Sequence, residues 1–472
     1  MLPTPKNYSV YPSVFPADKE STVWIVPNER AFLFFEDEEY TIVINGINED
    51  VPDRKAPVHH NTLKVKAKNG VLCFKYTFKG EQEHIISLKY NEDAKAKFNV
   101  YSLFEDLYAR IPLRGDLHAH SYRSDGNRDP AAFLGHYREQ GYDFTTLSDH
   151  NRYYPGGEID EAYDGVKLGI THVQGEEVHV PGSPIHIVHV GGKSSVTQRY
   201  VDNSEEYRAE MAEYMANVPS DIPEKYADRY AMAKWVSDNV HKAGGLVIFP
   251  HPYWIPGGDS RSFNVCDELS MILLKSGMFD AFEVIGGLSA DYCSRQLALW
   301  GDLRAEGFDI PVVGSSDVHG IQKSHVFPNH FTVCFARSAD EQDILDAVKS
   351  GYSVAAEGQG YEYDREYRTY GKLRFVSYAR FLLENYFPEL QRICQGEGVA
   401  MRSYVMGKVD KSVIECQVEQ TESFKNAYFG RTEPTLPNRE IIEFENRWRE
   451  KHCQGPTTKG SYIYSDKVTR QI

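Results

Sequence analysis

Two histidines separated by a single residue stand at the end of an apparent strand, His118 and His120 in the run 113–120. Side chains alternate between the two faces of a strand, so both imidazoles point to the same side. Two imidazoles on one face of a strand end can bind one metal ion together. An isolated pair of this kind is usually surface or core histidine, so the prediction of a metal site depends on further ligands elsewhere in the chain.

Further candidate ligands occur within a predicted β-α-β unit. Asp125 stands in the next loop, and a helix is predicted over 129–141, with an aspartate as N-cap and a glycine as stop. The chain then returns through a second strand at 143–147, which ends on His150. Because sites form at the carboxyl ends of strands in barrels and open α/β sheets, these side chains are expected to converge.

Similar groups recur downstream, each after an apolar run. The run 246–249 leads into His251, and the run 310–314 leads to Asp317 and His319. Asp317 and His319 have the same i, i+2 spacing as the first histidine pair, so they share a face. The repetition of imidazole and carboxylate side chains at successive strand ends predicts a metal site rather than scattered polar residues.

The motifs of this region resemble those of the PHP (polymerase and histidinol phosphatase) family of metal-dependent hydrolases. A D-L-H-x-H strand end stands at Asp116–His120, an S-D-G at Ser124–Gly126 and an S-D-H-N at Ser148–Asn151. The resemblance covers roughly 111–357, and the later motifs appear in the family's order. It implies the α/β class, with a distorted (β/α)7 PHP-type barrel.

The resemblance also implies a centre of three divalent ions. The implied ligands are His118, His120, Glu177 and Asp317 for one ion, Glu177, His186 and His251 for a second, and Asp125, His150 and His319 for a third. Mixed imidazole and carboxylate ligands suit zinc, manganese or iron.

Two of these ligand positions have alternatives. The family's G-x-E motif fits Glu177, with Glu176 as its rival, and the next family histidine fits His186, with His189 as the alternative. His179 lies on the same predicted strand face as Glu177. His179 is nevertheless interpreted as a non-ligand, as is the nearby His172.

Adjacent divalent ions lower the pKa of a bound water and create a hydroxide nucleophile. The resemblance therefore implies a hydrolase, and the leading hypothesis is a phosphoesterase for small phosphorylated metabolites. Glu283, Arg152 and Arg261 are expected to support the ligands or contact the substrate. The alternatives are a carbamate, ester or amide hydrolase with the same ions, and a metal-binding protein without catalysis.

The rest of the 472-residue chain suggests two further regions. Short apolar strands separated by Asn-Gly and Lys-Gly turns predict an all-β, sandwich-like domain over 1–110. The barrel follows at 111–357, and a mixed or helical extension at 358–472 is expected to wrap the other domains or mediate homo-oligomer formation. This combination resembles the CehA/McbA-like branch of PHP metallohydrolases.

Composition excludes some classes of function. The chain carries 52 Lys and Arg against 68 Asp and Glu, a net charge of −16, which argues against nucleic-acid binding. It contains no apolar run of membrane-spanning length. The first residues lack the apolar core of a secretory signal, and the seven cysteines form no C-x-x-C pair. We therefore expect a cytoplasmic protein without nucleic-acid or membrane partners.

Overall fold

The computed structural model describes residues 6–48, 61–90, 93–257, 262–321, 325–359 and 366–452. The chain divides into two compact units, one of Met1–Ala109 with Glu422–Ile472 and the other of Arg110–Thr421. The segment 358–472, expected to be one C-terminal extension, is thus shared between the units. The reason is packing: its first helices belong with the barrel, and its last helix belongs with the N-terminal strands.

The N-terminal strands form two sheets, which confirms the predicted all-β region. The strands are β1 (Tyr8–Tyr11), β2 (Val14–Pro16), β3 (Glu20–Pro27), β4 (Glu39–Gly46), β5 (Thr62–Lys66), β6 (Leu72–Thr77), β7 (Gln82–Tyr90) and β8 (Asp93–Leu103). One sheet has the order β1-β3-β6 and the other the order β2-β8-β7-β4-β5. Alternate residues of β7 are buried, as expected for a strand with one face on a core. That core contains side chains from both sheets.

The end of the described chain packs on these strands. A short helix, α1 (Glu105–Tyr108), follows β8, and α13 (Arg439–His452) is the last described helix. Arg449 of α13 donates to the carbonyl of Leu33 at 3.1 Å, and its guanidinium lies 4.4 Å from the ring centroid of Phe35. The carbonyl of Tyr428 accepts a hydrogen bond from the amide of Ser13 at 2.8 Å.

A buried histidine makes the stability of this unit depend on pH. His84 of β7 lies 2.8 Å from the hydroxyl of Ser102, and burial lowers the pKa of its imidazole to about 4. The unfolded chain has the ordinary value of about 6.5, so it binds the proton first as the pH falls. The contribution of neutral His84 is therefore complete above pH 6.5 and is lost towards pH 4, by up to about 3 kcal/mol.

We predict that His84→Gln removes this part of the pH dependence. Urea unfolding of both proteins between pH 4 and 8 measures it, because the difference between them isolates His84 from the other histidines. The free energy of unfolding of the wild type should fall relative to that of the variant below pH 6.5. Parallel curves over the whole range would contradict the prediction.

The second unit is organised around a ten-stranded sheet. Its strands are β9 (Ile111–Asp116), β10 (Phe144–Leu147), β11 (Thr171–His179), β12 (His186–Val190), β13 (Leu246–Phe249), β14 (Ala281–Ile285), β15 (Val312–Gly314), β16 (His330–Ala336), β17 (Ser353–Gln359) and β18 (Glu366–Tyr370). The order is β15-β14-β13-β12-β11-β10-β9-β16-β17-β18. Strand β15 returns to the other end of the sheet, since the amide of Gly314 donates to Thr332 at 3.0 Å and the hydroxyl of Ser353 donates to Val312 at 2.8 Å. The sheet is therefore a nearly closed barrel, which confirms the predicted mixed α/β class.

The barrel departs from a regular alternation of parallel strands and helices. Strands β9, β10 and β11 are parallel, as are β13, β14 and β15. In contrast, β12 is antiparallel to both of its neighbours, and β16 is antiparallel to β9 and β17. The short connection between β11 and β12 contains no helix, which explains the reversal there. The sevenfold repeat stays a prediction.

Helices surround this sheet and continue beyond it. They are α2 (Pro130–Glu139), α3 (Pro155–Ala162), α4 (Thr197–Asp202), α5 (Ser204–Ala216), α6 (Ala227–Ala243), α7 (Asp267–Lys275), α8 (Ala290–Ala305), α9 (Glu341–Lys349), α10 (Leu373–Asn385), α11 (Phe387–Tyr404) and α12 (Lys411–Tyr428). Helix α2 begins as predicted, with the Asp129 side chain accepting from the amide of Ala132 and proline in the first turn. Of the helices in the described part of the chain, none is both long and apolar enough to cross a membrane.

A buried ion pair joins α11 to the barrel unit. The Nε of Arg138 donates to Glu397 Oε2 at 2.6 Å, and Glu397 Oε1 accepts from the amide of Gly169 at 2.7 Å. The Nη1 of Arg138 also donates to the carbonyl of Tyr142 at 3.0 Å. Both charged side chains are completely buried. This pair fixes the first part of the predicted C-terminal extension to α2.

Candidate metal centre

Backbone hydrogen bonds continue past the ends of the strands and align the sequence motifs. The amide of Asp317 donates to the carbonyl of His118 at 2.8 Å, and the amide of His120 donates to the carbonyl of Val318 at 3.0 Å. A further parallel bridge joins His150 to Glu177. Residues far apart in sequence are thus held side by side at the carboxyl ends of the parallel strands, as predicted from the motif positions.

Glu177 lies at the centre of the candidate site and is buried. Six imidazole nitrogens lie within 3.4 Å of its carboxylate: His150 Nδ1 and His186 Nδ1 at 2.8 Å, His118 Nε2, His179 Nε2 and His251 Nε2 at 3.3 Å, and His120 Nε2 at 3.4 Å. Burial acts to raise the pKa of Glu177, but the neighbouring imidazoles, His118 foremost, outweigh it and hold the pKa well below its usual range. The side chain is therefore a carboxylate with acceptor oxygens directed at several nitrogens.

Asp317 faces two of the same histidines. Its Oδ1 lies 3.0 Å from His120 Nε2 and 3.4 Å from His118 Nε2. Burial acts to raise the pKa of Asp317, but these imidazoles lower it far more. One group that could hold a metal ion consists of four side chains: His118, His120, Glu177 and Asp317.

Asp125 and His319 complete an outer group, which is more exposed. The Asp125 carboxylate lies 3.2 Å from His319 Nε2 and 3.4 Å from His150 Nε2. The ring of His120 stacks at 4.3 Å against both the His150 and His319 rings. This second group that could hold a metal ion consists of His120, Asp125, His150 and His319. A third consists of Glu177, His186 and His251.

The geometry places all nine sequence-predicted ligands in one contiguous cluster. In each group, the candidate ligand atoms lie within 4.8 Å of one another. Glu177 occurs in two of the groups just described, as the bridging role implied by the family resemblance requires. The bridging role itself and the number of ions stay predictions.

Glu176 and His189, the two alternative ligands left open by the sequence, lie on the strand faces that point away from the cluster. Glu176 accepts from the amide of Val196 at 2.6 Å and lies 3.2 Å from His189 Nδ1. Both side chains are completely buried away from the cluster. Since Glu176 pairs with His189 across β11 and β12, and adjacent strand residues alternate in direction, Glu177 and His186 face the cluster.

Several polar atoms of the cluster lack a hydrogen-bond partner. Both oxygens of Glu177, the Nε2 of His118, the Nδ1 atoms of His120, His186 and His251, and Oε1 of Glu283 are buried without a hydrogen bond. Leaving such groups unpaired costs about 1–3 kcal/mol each. Burial lowers the pKa of His186 to about 4, so its imidazole is neutral at pH 7 and has a free electron pair. This donor set fits divalent cations.

Three backbone positions near the cluster have left-handed conformations that non-glycine residues seldom adopt. The φ angles are 52° at Asn151, 23° at His251 and 48° at Asp317. Such conformations cost about 1–3 kcal/mol each and concentrate at functional sites. The fold thus maintains strained backbone where it presents His251 and Asp317 to the cluster.

Glu283 contacts the first histidine of the cluster. It is completely buried, and its Oε2 lies 3.0 Å from His118 Nδ1. This contact directs the other nitrogen of His118 towards Glu177 and Asp317. The two predicted substrate-contacting arginines differ: Arg152 is exposed, and Arg261 lies outside the described residues.

Two buried aspartates of the motifs have supporting roles that the sequence did not reveal. Asp149 accepts from the amide of Ser121 at 2.9 Å and its hydroxyl at 2.6 Å, which fixes the turn that carries Asp125. Asp116 accepts from the Tyr137 hydroxyl at 2.7 Å and the Ser316 amide at 2.9 Å, which fixes the segment leading to Asp317.

His179, which the sequence analysis interpreted as a non-ligand, lies within the cluster. The signal that could have indicated this position was its strand face, which it shares with Glu177.

The chain matches no family model and no curated protein. Among solved structures it is similar to a two-domain protein from Bacteroides vulgatus containing a predicted PHP-like metal-dependent phosphoesterase, with 21% identity and a TM-score of 0.37. That match covers 52% of this chain and 65% of the other, so the chain spans less than two thirds of that protein.

Two further structures are similar at a comparable level. One, from Bifidobacterium adolescentis, is named for metal-dependent phosphoesterase activity, with 18% identity, a TM-score of 0.33, and coverage of 46% of this chain and 91% of that one. The other is an amidohydrolase from Chromobacterium violaceum with bound sulfate and no metal, with 19% identity, a TM-score of 0.30, and coverage of 44% and 89%. At such low similarity, conclusions about chemistry depend on the side chains of the cluster itself.

Proposed function

We propose that this chain is a metal-dependent hydrolase whose substrate is a small phosphorylated metabolite. The observation that carries the proposal is the environment of Glu177: a buried carboxylate with six imidazole nitrogens within 3.4 Å and no hydrogen bond to either oxygen. A protein that did not bind cations there would leave both oxygens of Glu177, the Nε2 of His118 and the Nδ1 of His186 unsatisfied.

The proposed centre is trinuclear, as the resemblance to PHP metallohydrolases implies, and the combination of regions resembles the CehA/McbA-like branch of that family. His118, His120 and Asp317 would hold one ion with Glu177, and His186 and His251 would hold a second with the same carboxylate. The remaining three ligands would hold the third ion: Asp125, His150 and His319. Zinc, manganese and iron all accept this mixture of ligands.

Divalent ions supply such a site with a water of lowered pKa and with positive charge for the oxygens of an ester. The side chains determine how much of that charge remains for the substrate. Three carboxylates among the ligands, Asp125, Glu177 and Asp317, bring three negative charges against six positive charges of three divalent ions. The excess of three favours an anionic substrate such as a phosphate monoester.

A second candidate is an aryl carbamate, ester or amide hydrolase with the same centre. Trp254 favours it, because its ring lies 5.5 Å from the ring of His186 and the residue is 38% exposed. An exposed indole beside a candidate ligand offers an apolar surface to an aryl group. This arrangement adds nothing to the binding of a small, highly charged phosphate ester.

The proposal is tested with purified protein, before and after dialysis against a chelator. Phosphorylated metabolites and aryl carbamates are supplied in parallel, with zinc, manganese or iron(II) added back. We expect phosphate release that chelation abolishes and one of the metals restores. Turnover of carbamates alone would favour the second candidate, and metal binding without any turnover would indicate a non-catalytic metal-binding protein.

A further inference from the structure

We infer that Gly287 and His330 are positioning residues for one metal ion of the proposed centre. That ion is the one assigned to four side chains: His118, His120, Glu177 and Asp317. Neither Gly287 nor His330 is a ligand in this assignment, and both act on its side chains through the turn that follows β14. The inference rests on the proposed function, because it concerns the same centre, but its test measures metal binding rather than turnover.

Gly287 lies closer to the ligand Asp317 than a residue with a side chain could. A methyl group at its Cα would lie 2.5 Å from Cβ of Asp317 and 2.7 Å from Oδ2. Because non-bonded carbon atoms pack at about 3.5–4.0 Å, a larger residue would displace the carboxylate. The φ angle of Gly287 is outside the left-handed region, so the turn requires glycine for space and not for backbone conformation. Asp317 has little freedom to yield, since its own φ is 48° and its amide donates to the carbonyl of His118.

The neighbouring glycine packs against a carboxylate that serves the same ion. A methyl group on Gly286 would overlap Oε1 of Glu283, and the other oxygen of Glu283 lies 3.0 Å from His118 Nδ1. The turn therefore acts on the ion in two ways, directly on Asp317 and on His118 through Glu283. Among the described residues, the other groups that could hold an ion contain neither Asp317 nor His118. Displacement of the turn should thus affect one ion position and spare the others.

His330 fixes the position of this turn. Its Nδ1 lies 2.6 Å from the carbonyl oxygen of Gly286, and because a carbonyl oxygen only accepts, Nδ1 carries the proton. The residue is buried at the first position of β16. On the other side, the amide of Ser315 donates to the carbonyl of Ile285 at 2.8 Å. A pair of glycines has few conformational limits of its own, so these outside contacts determine where the turn lies.

The test measures zinc binding to the metal-free full-length protein, by competition with a chromophoric chelator. Gly287→Ala is expected to weaken one class of zinc sites by about 10- to 100-fold, the range known for residues that orient a metal ligand, and to leave the other classes unchanged. Gly301→Ala is the matched control, because Gly301 lies in α8, the helix that follows the turn, and a methyl group there would have open space around it. It should bind zinc as the wild type does.

Two variants of His330 keep the test decisive if Gly287→Ala does not fold. His330→Leu removes the donor to the carbonyl of Gly286. In His330→Asn, the side-chain amide places a donor nitrogen close to the position of Nδ1. We expect His330→Leu to weaken the same class of zinc sites as Gly287→Ala, and His330→Asn to restore the affinity. A residue that only fills space in the core would not show this rescue by a smaller polar side chain.

Wild-type zinc affinity in Gly287→Ala or in His330→Leu would overturn the inference, and so would an equal weakening of all classes of zinc sites. If the wild type binds zinc but hydrolyses nothing, the proposed function fails and this inference is decided by the binding data alone. If the wild type hydrolyses a substrate and the variants bind zinc as it does, the proposed function stands and this inference fails.

Discussion

Replacement of Glu177 with glutamine is expected to remove metal ions and turnover together. The carboxylate lies within 3.4 Å of six imidazole nitrogens and is assigned to two ion positions, so its loss affects both. A neutral amide retains the shape of the side chain but provides neither the charge nor a second acceptor oxygen. We expect turnover to fall by more than about 100-fold, the upper end for residues that only support a metal ligand.

Mass spectrometric metal analysis and the substrate assay measure this effect, and the preceding residue offers the control. Glu176 is equally buried and belongs to the same strand, but it accepts from Ser195 at 2.9 Å and from the amide of Val196. Glu176→Gln should therefore change stability and leave metal content and turnover intact. Wild-type metal content in Glu177→Gln, or equal inactivity of both variants, would contradict the proposed centre.

Replacement of Glu397 with glutamine is expected to destabilise the barrel unit by about 3 kcal/mol, because it removes the nearer of the two carboxylates that face the buried Arg138 charge. The other carboxylate, of Asp143, lies 3.6 Å from Nη1 of Arg138. The side chains of Arg138 and Glu397 are completely buried, 2.6 Å apart. Burial acts to lower the pKa of Arg138, but its acidic neighbours outweigh it and raise the pKa above the ordinary value, so the guanidinium keeps its charge. Urea unfolding followed by circular dichroism measures the loss.

An exposed pair on α10 provides the comparison. Arg380 and Glu384 lie 3.2 Å apart in the i, i+4 relation, and their side chains are 77% and 51% exposed. Arg380→Gln should therefore cost no more than about 0.5 kcal/mol. Similar unfolding of Glu397→Gln and Arg380→Gln would show that the buried pair is dispensable.

Strand periodicity predicted which side chains of the cluster share a face. The spacing of His118 and His120, and of Asp317 and His319, needed only the alternation of a strand. It could not distinguish Glu177 from Glu176, because periodicity says that neighbours face opposite ways but not which face is the site. The pairing of β11 with β12 supplies that answer.

Other features depend on contacts between residues distant in sequence. Arg138 looks like one more polar residue of an amphipathic helix, and its partner Glu397 stands 259 residues later. The antiparallel directions of β12 and β16 could not be predicted from the sequence either, because the composition of an apolar run does not indicate the direction of its strand in the sheet. Strand alternation already places His179 on the same face as Glu177, but its pairing with His186 depends on the connection between β11 and β12, which no local pattern encodes.

The contacts between the C-terminal helices and the N-terminal strands determine which fragments of the protein can be expressed separately. The amide of Ser13 donates to the carbonyl of Tyr428, and Arg449 donates to Leu33, so α13 is part of the N-terminal fold. A fragment that stops at residue 109 would lack these partners. The barrel unit, Arg110–Thr421, is thus inserted in sequence between the two parts of the other unit, and a fragment that is to keep the N-terminal fold must contain both parts.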